Sequence, residues 1–145
     1  MTWVHEAIYA GGGDHIPATW QDFAGQTGIT AVVHLRPGNP DSFRGDAPKA
    51  FLWINLEAEE QAGVDERWLA GSFVMDCLAG GHRVLLHSSL GRHRARWAYV
   101  AYRICSGRSV RAALREAAEK PWLAPYHTDV AAWEAFAEAV RAREA

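Results

Sequence analysis

Leu85-Leu86-His87-Ser88-Ser89-Leu90-Gly91-Arg92-His93-Arg94 is the stretch that decides how this chain is read. Arg83 to His87 reads as a compact strand with Val84, Leu85 and Leu86 at its centre, and a long helix is predicted from Arg94 to Ile104. The segment between them therefore joins a strand end directly to a helix start. In an open α/β sheet, ligands usually bind beyond the carboxyl ends of the strands. Gly91 permits unusual backbone angles, so successive N–H groups can turn inward as an anion nest. The helix that follows adds its positive N-terminal end. Arg94 can supply a two-pronged, charge-assisted contact to phosphate oxygens. Ser89, Leu90, Gly91, Arg92, His93 and Arg94 thus form a candidate cradle for a tetrahedral dianion such as phosphate or sulfate, with no metal or other cofactor required.

The surrounding pattern fits that reading. Ala7-Ile8-Tyr9-Ala10 is a short strand candidate running into Gly11-Gly12-Gly13, whose spacing matches neither a dinucleotide fingerprint nor a Walker loop, so it reads as a turn. A short helix is predicted from Thr19 to Gln26, and buried strands at Ile29–Leu35 and Phe51–Leu56. Asp65 is the expected N-cap of a helix over 66–78, whose inner face is expected to carry Trp68, Leu69, Phe73 and Cys77. Ser109 can cap a helix to Glu119. A last helix spans Asp129 to Arg143, with Val130, Trp133, Phe136 and Val140 turned inward. The tryptophans at 53, 68, 97, 122 and 133 read mostly as core. Strands alternating with helices predict an α/β fold, a mainly parallel central sheet flanked by helices. With no linker, repeat or low-complexity tract, residues 1–145 are expected to form one domain.

Composition narrows the class further. The 145 residues are 49% apolar and 22% charged, which excludes a disordered chain. No apolar run approaches the roughly 18 residues of a membrane span, and the first residues lack a secretory pattern. Cys77 and Cys105 cannot build a disulfide framework, no structural zinc spacing occurs, and a reducing, cytoplasmic setting is expected. The net charge of −2 hides an asymmetry. Eight arginines (83, 92, 94, 96, 103, 108, 111 and 115) fall between Cys77 and Arg115 without a single acid. Such a one-signed field can concentrate an anionic ligand.

The loop resembles the His-Cys-x5-Arg motif of the protein tyrosine phosphatase superfamily, in particular its small dual-specificity-like members. His87, Ser88, Gly91 and Arg94 fall in the matching register, with serine where the family has its nucleophilic cysteine. Gly28-Ile29-Thr30-Ala31-Val32-Val33-His34-Leu35-Arg36-Pro37 is similar to a strand common in small bacterial members. The likeness covers roughly Ile8 to Val140. It implies a phosphatase fold, a phosphate or phosphorylated substrate as ligand, Ser88 at the nucleophile position, Arg94 on the phosphate and transition state, and His87 turned away to brace the loop.

Three departures bear on activity. A thiol with a free pKa of about 8.5 can be brought below neutrality by such a loop, whereas an alcohol starts too high to ionise there and needs a general base. Ala95 stands where the family usually has a hydroxyl that helps the intermediate hydrolyse. The family's general acid is an aspartate, and its usual separation from the nucleophile lands here on Glu57, the candidate general acid, with Ala58 beside it. The expected function is therefore a phosphatase-like domain that binds a phosphoryl group in the Ser88–Arg94 loop with little or no cysteine-type turnover. It is either a natural pseudophosphatase or the serine form of an active phosphatase.

Two other readings stay open at the level of sequence. The arginine-rich segment can serve a non-catalytic protein- or RNA-binding module, although no RNA-binding motif is present and the net charge is negative. A divergent serine hydrolase would need a nucleophile elbow, and His87-Ser88-Ser89-Leu90-Gly91 lacks its first glycine. Oligomeric state and pathway leave no mark in the sequence.

Overall fold

The computed structural model describes residues 2–12, 20–35, 48–54, 62–88, 93–120 and 130–144. Along the chain these form β1 (Thr2–His5), β2 (Ile8–Gly12), α1 (Trp20–Thr27), β3 (Ile29–His34), β4 (Ala50–Trp53), α2 (Val64–Ala79), β5 (Arg83–Ser88), α3 (His93–Cys105), α4 (Val110–Ala118) and α5 (Val130–Glu144). The strands make one sheet in the order β1-β2-β5-β3-β4. β5 pairs in parallel with β2 and β3, and β3 in parallel with β4. The expected α/β fold with a mainly parallel sheet is what the chain adopts.

β1 is an addition to the expected set. It pairs antiparallel with β2 through a tight turn in which Glu6 has a positive φ of 49°. Its Thr2-Trp3-Val4-His5 run leaves Thr2 and Trp3 exposed and buries Val4, too short and too polar a pattern to stand out as a strand.

The helices divide unequally between the two faces of the sheet. Trp20 and Phe23 of α1 pack with Ile29, Val32 and Leu85 on one face. On the other, Val4, Ile8, Ala31, Val33, Val84 and Leu86 meet a larger core drawn from α2, α3, α4 and α5. Side chains alternate along a strand, so Val84 and Leu86 serve the large core while Leu85 between them serves the small one. Burying each such side chain stabilises the fold by about 1.5–3 kcal/mol.

Helix packing overrides several single-residue expectations. α2 starts after Gly63 rather than at an Asp65 cap, and the Gly63 N–H donates to Glu66 Oε2 at 2.9 Å. Its buried face is Arg67, Ala70, Gly71, Val74 and Cys77. Leu69 is half exposed, because small residues let α2 approach α3 more closely than a leucine face would. A Cβ on Gly71 would stand 2.6 Å from both the Ala101 carbonyl oxygen and Cys105 Sγ. In α5, Trp133, Phe136 and Val140 are buried as expected, but Val130, in its first turn, is exposed. Trp53 lies on the edge strand and is 42% exposed, so it is not core. Ser109 caps α4 as expected, its Oγ accepting from Ala112 N–H at 3.1 Å.

Candidate active site

β5 ends at Ser88 and α3 begins at His93, so a buried central strand does run through a short connection into a helix start. Ser88 is the last paired residue of β5, opposite Gly12 of β2, and is almost fully buried. By alternation it shares the face of Leu86, the side covered by α3. Arg94 lies in the first turn of that helix and is half-buried. The strand end and the arginine are thus carried on the same side of the sheet by two elements packed on each other. Ser89, Leu90, Gly91 and Arg92 lie outside the described residues, as does Glu57, and of His93 only the backbone is described.

His87 takes the opposite face, with Leu85. It is fully buried, and its Nδ1 lies 2.9 Å from Nδ1 of His34, its direct partner across the β3–β5 ladder. The ring planes are within 16° and the centroids 5.0 Å apart, so the rings meet edge to edge rather than face to face. A bond between two ring nitrogens needs one donor and one acceptor, so one Nδ1 carries a hydrogen and the other does not. The flanking backbone is tied as well: Leu35 N–H donates to the His87 carbonyl at 2.8 Å, and Ile54 N–H to the His34 carbonyl at 2.9 Å. His34 is the residue that sequence reasoning missed. Its only signal was a polar side chain inside an apolar strand run.

The whole chain superposes on solved phosphatases. Human DUSP28 matches with a TM-score of 0.74 over 99% of both chains at 18% identity. A mouse dual specificity phosphatase complexed with zinc tungstate matches at 0.76 and 19% identity, over 98% of this chain and 89% of that one. PTPMT1 in complex with PI(5)P matches at 0.76 and 15% identity, over 97% and 98%. The chain has the dual-specificity phosphatase fold. In sequence, no family model and no curated protein matches it.

Within this phosphatase fold the arginines do not form one field. Arg103 Nε and Arg108 Nε each donate to Glu116 at 2.8 Å, pinning α4 to the end of α3. Burial alone would raise the Glu116 pKa, but the bonds and charges of the two arginines outweigh it and hold it below the usual glutamate range. Arg83 Nη1 donates to the Thr27 carbonyl at 3.1 Å, and Arg96 is buried. Arg111 and Arg115 face solvent from α4. A shallow cleft lined by Ile104, Arg108, Ser109 and Arg141 sits at the far end of α3. Ile104 is ten residues beyond Arg94, about 15 Å along the helix axis, so this cleft is separate from the start of α3.

Ala95, which follows the arginine, is fully buried. Cys77 and Cys105 are buried free thiols, and burial pushes the Cys77 thiol up, away from thiolate chemistry. Trp97 and Trp133 are core residues, as expected, while Trp68 is half-buried and Trp122 lies outside the described residues. Among the described residues no group of His, Cys, Asp and Glu is arranged to hold a metal, and no helix is long and apolar enough to cross a membrane.

Proposed function

We propose that this chain is a dual-specificity-phosphatase-like domain spanning 1–145 that binds phosphate or a phosphoryl ester between Ser88 and Arg94. The observation that carries this reading is the placement of Ser88 at the end of the central strand and Arg94 in the first turn of the helix packed beside it. Loop amides, the α3 N-terminus and the Arg94 guanidinium would share the three non-bridging oxygens of the phosphoryl group. Ser89 through His93 supply the amides, and Glu57 is the candidate proton donor to a leaving group. Tungstate and a phosphoinositide in the matching phosphatases are ligands of the same tetrahedral oxyanion chemistry.

With serine at the nucleophile position, the loop retains the means to hold an oxyanion but lacks a group that ionises near neutrality. A pseudophosphatase, or the serine form of an active phosphatase, follows from that chemistry. The free, buried thiols suit a cytoplasmic protein. An RNA-binding role for the arginine segment draws less support, because Glu116 engages Arg103 and Arg108 and the Thr27 carbonyl engages Arg83.

The test is Ser88→Cys assayed on a small aryl phosphate, with Ser88→Cys/Arg94→Ala as control. Turnover is expected only when the cysteine and the arginine are both present. Robust phosphatase activity of the serine protein, abolished in Ser88→Ala, would overturn the reading and require an alkoxide mechanism with its own base.

A further inference from the structure

We propose that His34 is a positioning residue for the phosphate loop: its Nδ1 bond to His87 fixes the ring of that histidine and ties its tautomer to that of His34, and through it holds the backbone on which Ser88 begins the loop. The inference rests on the phosphate-binding reading above and adds to it a residue one strand away, 53 positions earlier in the chain.

The geometry is specific. His34 and His87 are register partners on adjacent parallel strands, both essentially fully buried. At 2.9 Å, nearly coplanar and edge to edge, the rings are placed for an N–H···N bond. That contact has a consequence that packing alone would not have. An isolated neutral imidazole exchanges its hydrogen freely between Nδ1 and Nε2, but here the hydrogen lies on one Nδ1 and is refused by the other. The two tautomers are therefore coupled, a ring protonated on Nδ1 requiring its neighbour to carry its hydrogen on Nε2.

The pair is also braced from outside. Phe51 of β4 lies 6.1 Å from the His34 ring centroid at an interplanar angle of 29°. The main chains at both histidines are bonded onward, to Leu35 and Ile54. Rotation of His87 would break a buried hydrogen bond and leave a polar nitrogen without its partner, an outcome that buried polar groups avoid. The residue that immediately precedes Ser88 is thereby held in one rotamer, with a protonation pattern complementary to that of His34. A ring held by such a bond keeps the same edge towards its surroundings, whereas a ring free to flip would present two. Anion cradles built from backbone amides gain from the first arrangement, because donors already held in place need no reorganisation when the anion binds.

The experiment uses the full chain, ¹⁵N-labelled at histidine, with inorganic tungstate as the probe. Long-range ¹H–¹⁵N spectra read the tautomers of His34 and His87, and calorimetry reads tungstate affinity for wild type, His34→Leu and His34→Asn. Wild type is expected to show one Nδ1-protonated ring and one Nε2-protonated ring. His34→Leu is expected to remain folded, give a mixed His87 tautomer and bind tungstate about tenfold more weakly, the equivalent of one lost hydrogen bond. His34→Asn, which puts an amide close to the former Nδ1 position, is expected to restore a single His87 tautomer and affinity to within about threefold of wild type. Equal affinity in His34→Leu and wild type overturns the inference, and so does an asparagine variant no better than leucine. Failure of wild type to bind tungstate at all would instead sink the phosphate-loop reading, and the positioning role with it. Should His34→Leu not fold, His34→Asn against wild type decides. A mixed tautomer with unchanged affinity then overturns the inference, and a single tautomer with near-wild-type affinity supports it.

Discussion

The Arg67 guanidinium lies 4.6 Å above the Trp133 ring centroid, deep between α2 and α5, while its Nη1 donates to the Ala62 carbonyl at 2.6 Å. One buried side chain thus ties the C-terminal helix to the point where the chain enters α2, just after the stretch that contains Glu57. A buried guanidinium is tolerated only where hydrogen bonds and an aromatic face replace its water. Replacing Arg67 by methionine, of similar length, removes both. The expected result is a destabilisation of about 1–3 kcal/mol, read as a lower urea midpoint at unchanged slope. An unchanged midpoint would mean that packing of the stem alone holds the two helices.

Gly71 is where α2 and α3 come closest. Alanine there would gain helix propensity, worth about 1 kcal/mol. Its Cβ would also stand 2.6 Å from a backbone carbonyl that cannot step aside. Steric overlap wins, because relieving it requires shifting a whole helix of the main core. Gly71→Ala is expected to cost about 1–3 kcal/mol net and lower the melting temperature by several degrees. A melting temperature at or above that of wild type would show that the helices separate at little cost.

Arg94 separates charge from geometry at the proposed cradle. A planar fork can engage two oxyanion oxygens at once, and an ammonium cannot. Arg94→Lys is expected to weaken tungstate binding by about tenfold, and Arg94→Ala by about a hundredfold. Calorimetry on both variants checks the order. Lysine binding as tightly as arginine would reduce the contribution of Arg94 to simple charge.

Glu116 makes stability depend on pH in a defined direction. Burial would raise its pKa, yet Arg103 and Arg108 lower it below the ordinary value of 4.5. A folded-state pKa below the unfolded one stabilises the native state fully above the unfolded value, and the contribution disappears as pH falls through the folded value. Wild type is therefore expected to be more stable than Glu116→Gln at pH 7. The gap should start to shrink as the pH drops below about 4.5 and close at pH values under the depressed pKa. Denaturation of both proteins across that range measures it. A gap that is constant with pH would assign the effect to shape instead of charge.

Much of this architecture was legible in the sequence because the signals are local. Short apolar, β-branched or leucine runs mark β3 and β5, Ser109 has a hydroxyl that can reach the α4 amides, and Trp133, Phe136 and Val140 recur at helical spacing. Apart from the Asp65 cap, which gave way to Gly63, the expectations that failed were about which face of an element meets a neighbour. Leu69 and Trp53 are large and apolar, yet one lies outside a helix whose close partner selects small residues and the other on a sheet edge. Hydrophobicity alone carries no information about the neighbour. The arginine-rich segment holds the same lesson, since Glu116, just outside the acid-free stretch, pairs with two of its members.

What the sequence settled by itself was the succession of strand, loop and helix around Ser88 and Arg94, since backbone preference and side-chain periodicity act over a few residues. Tertiary structure alone decided that β5 lies between β2 and β3. That order sets His34 against His87, because partners across a ladder are fixed by strand order and register, quantities that depend on the whole chain folding at once.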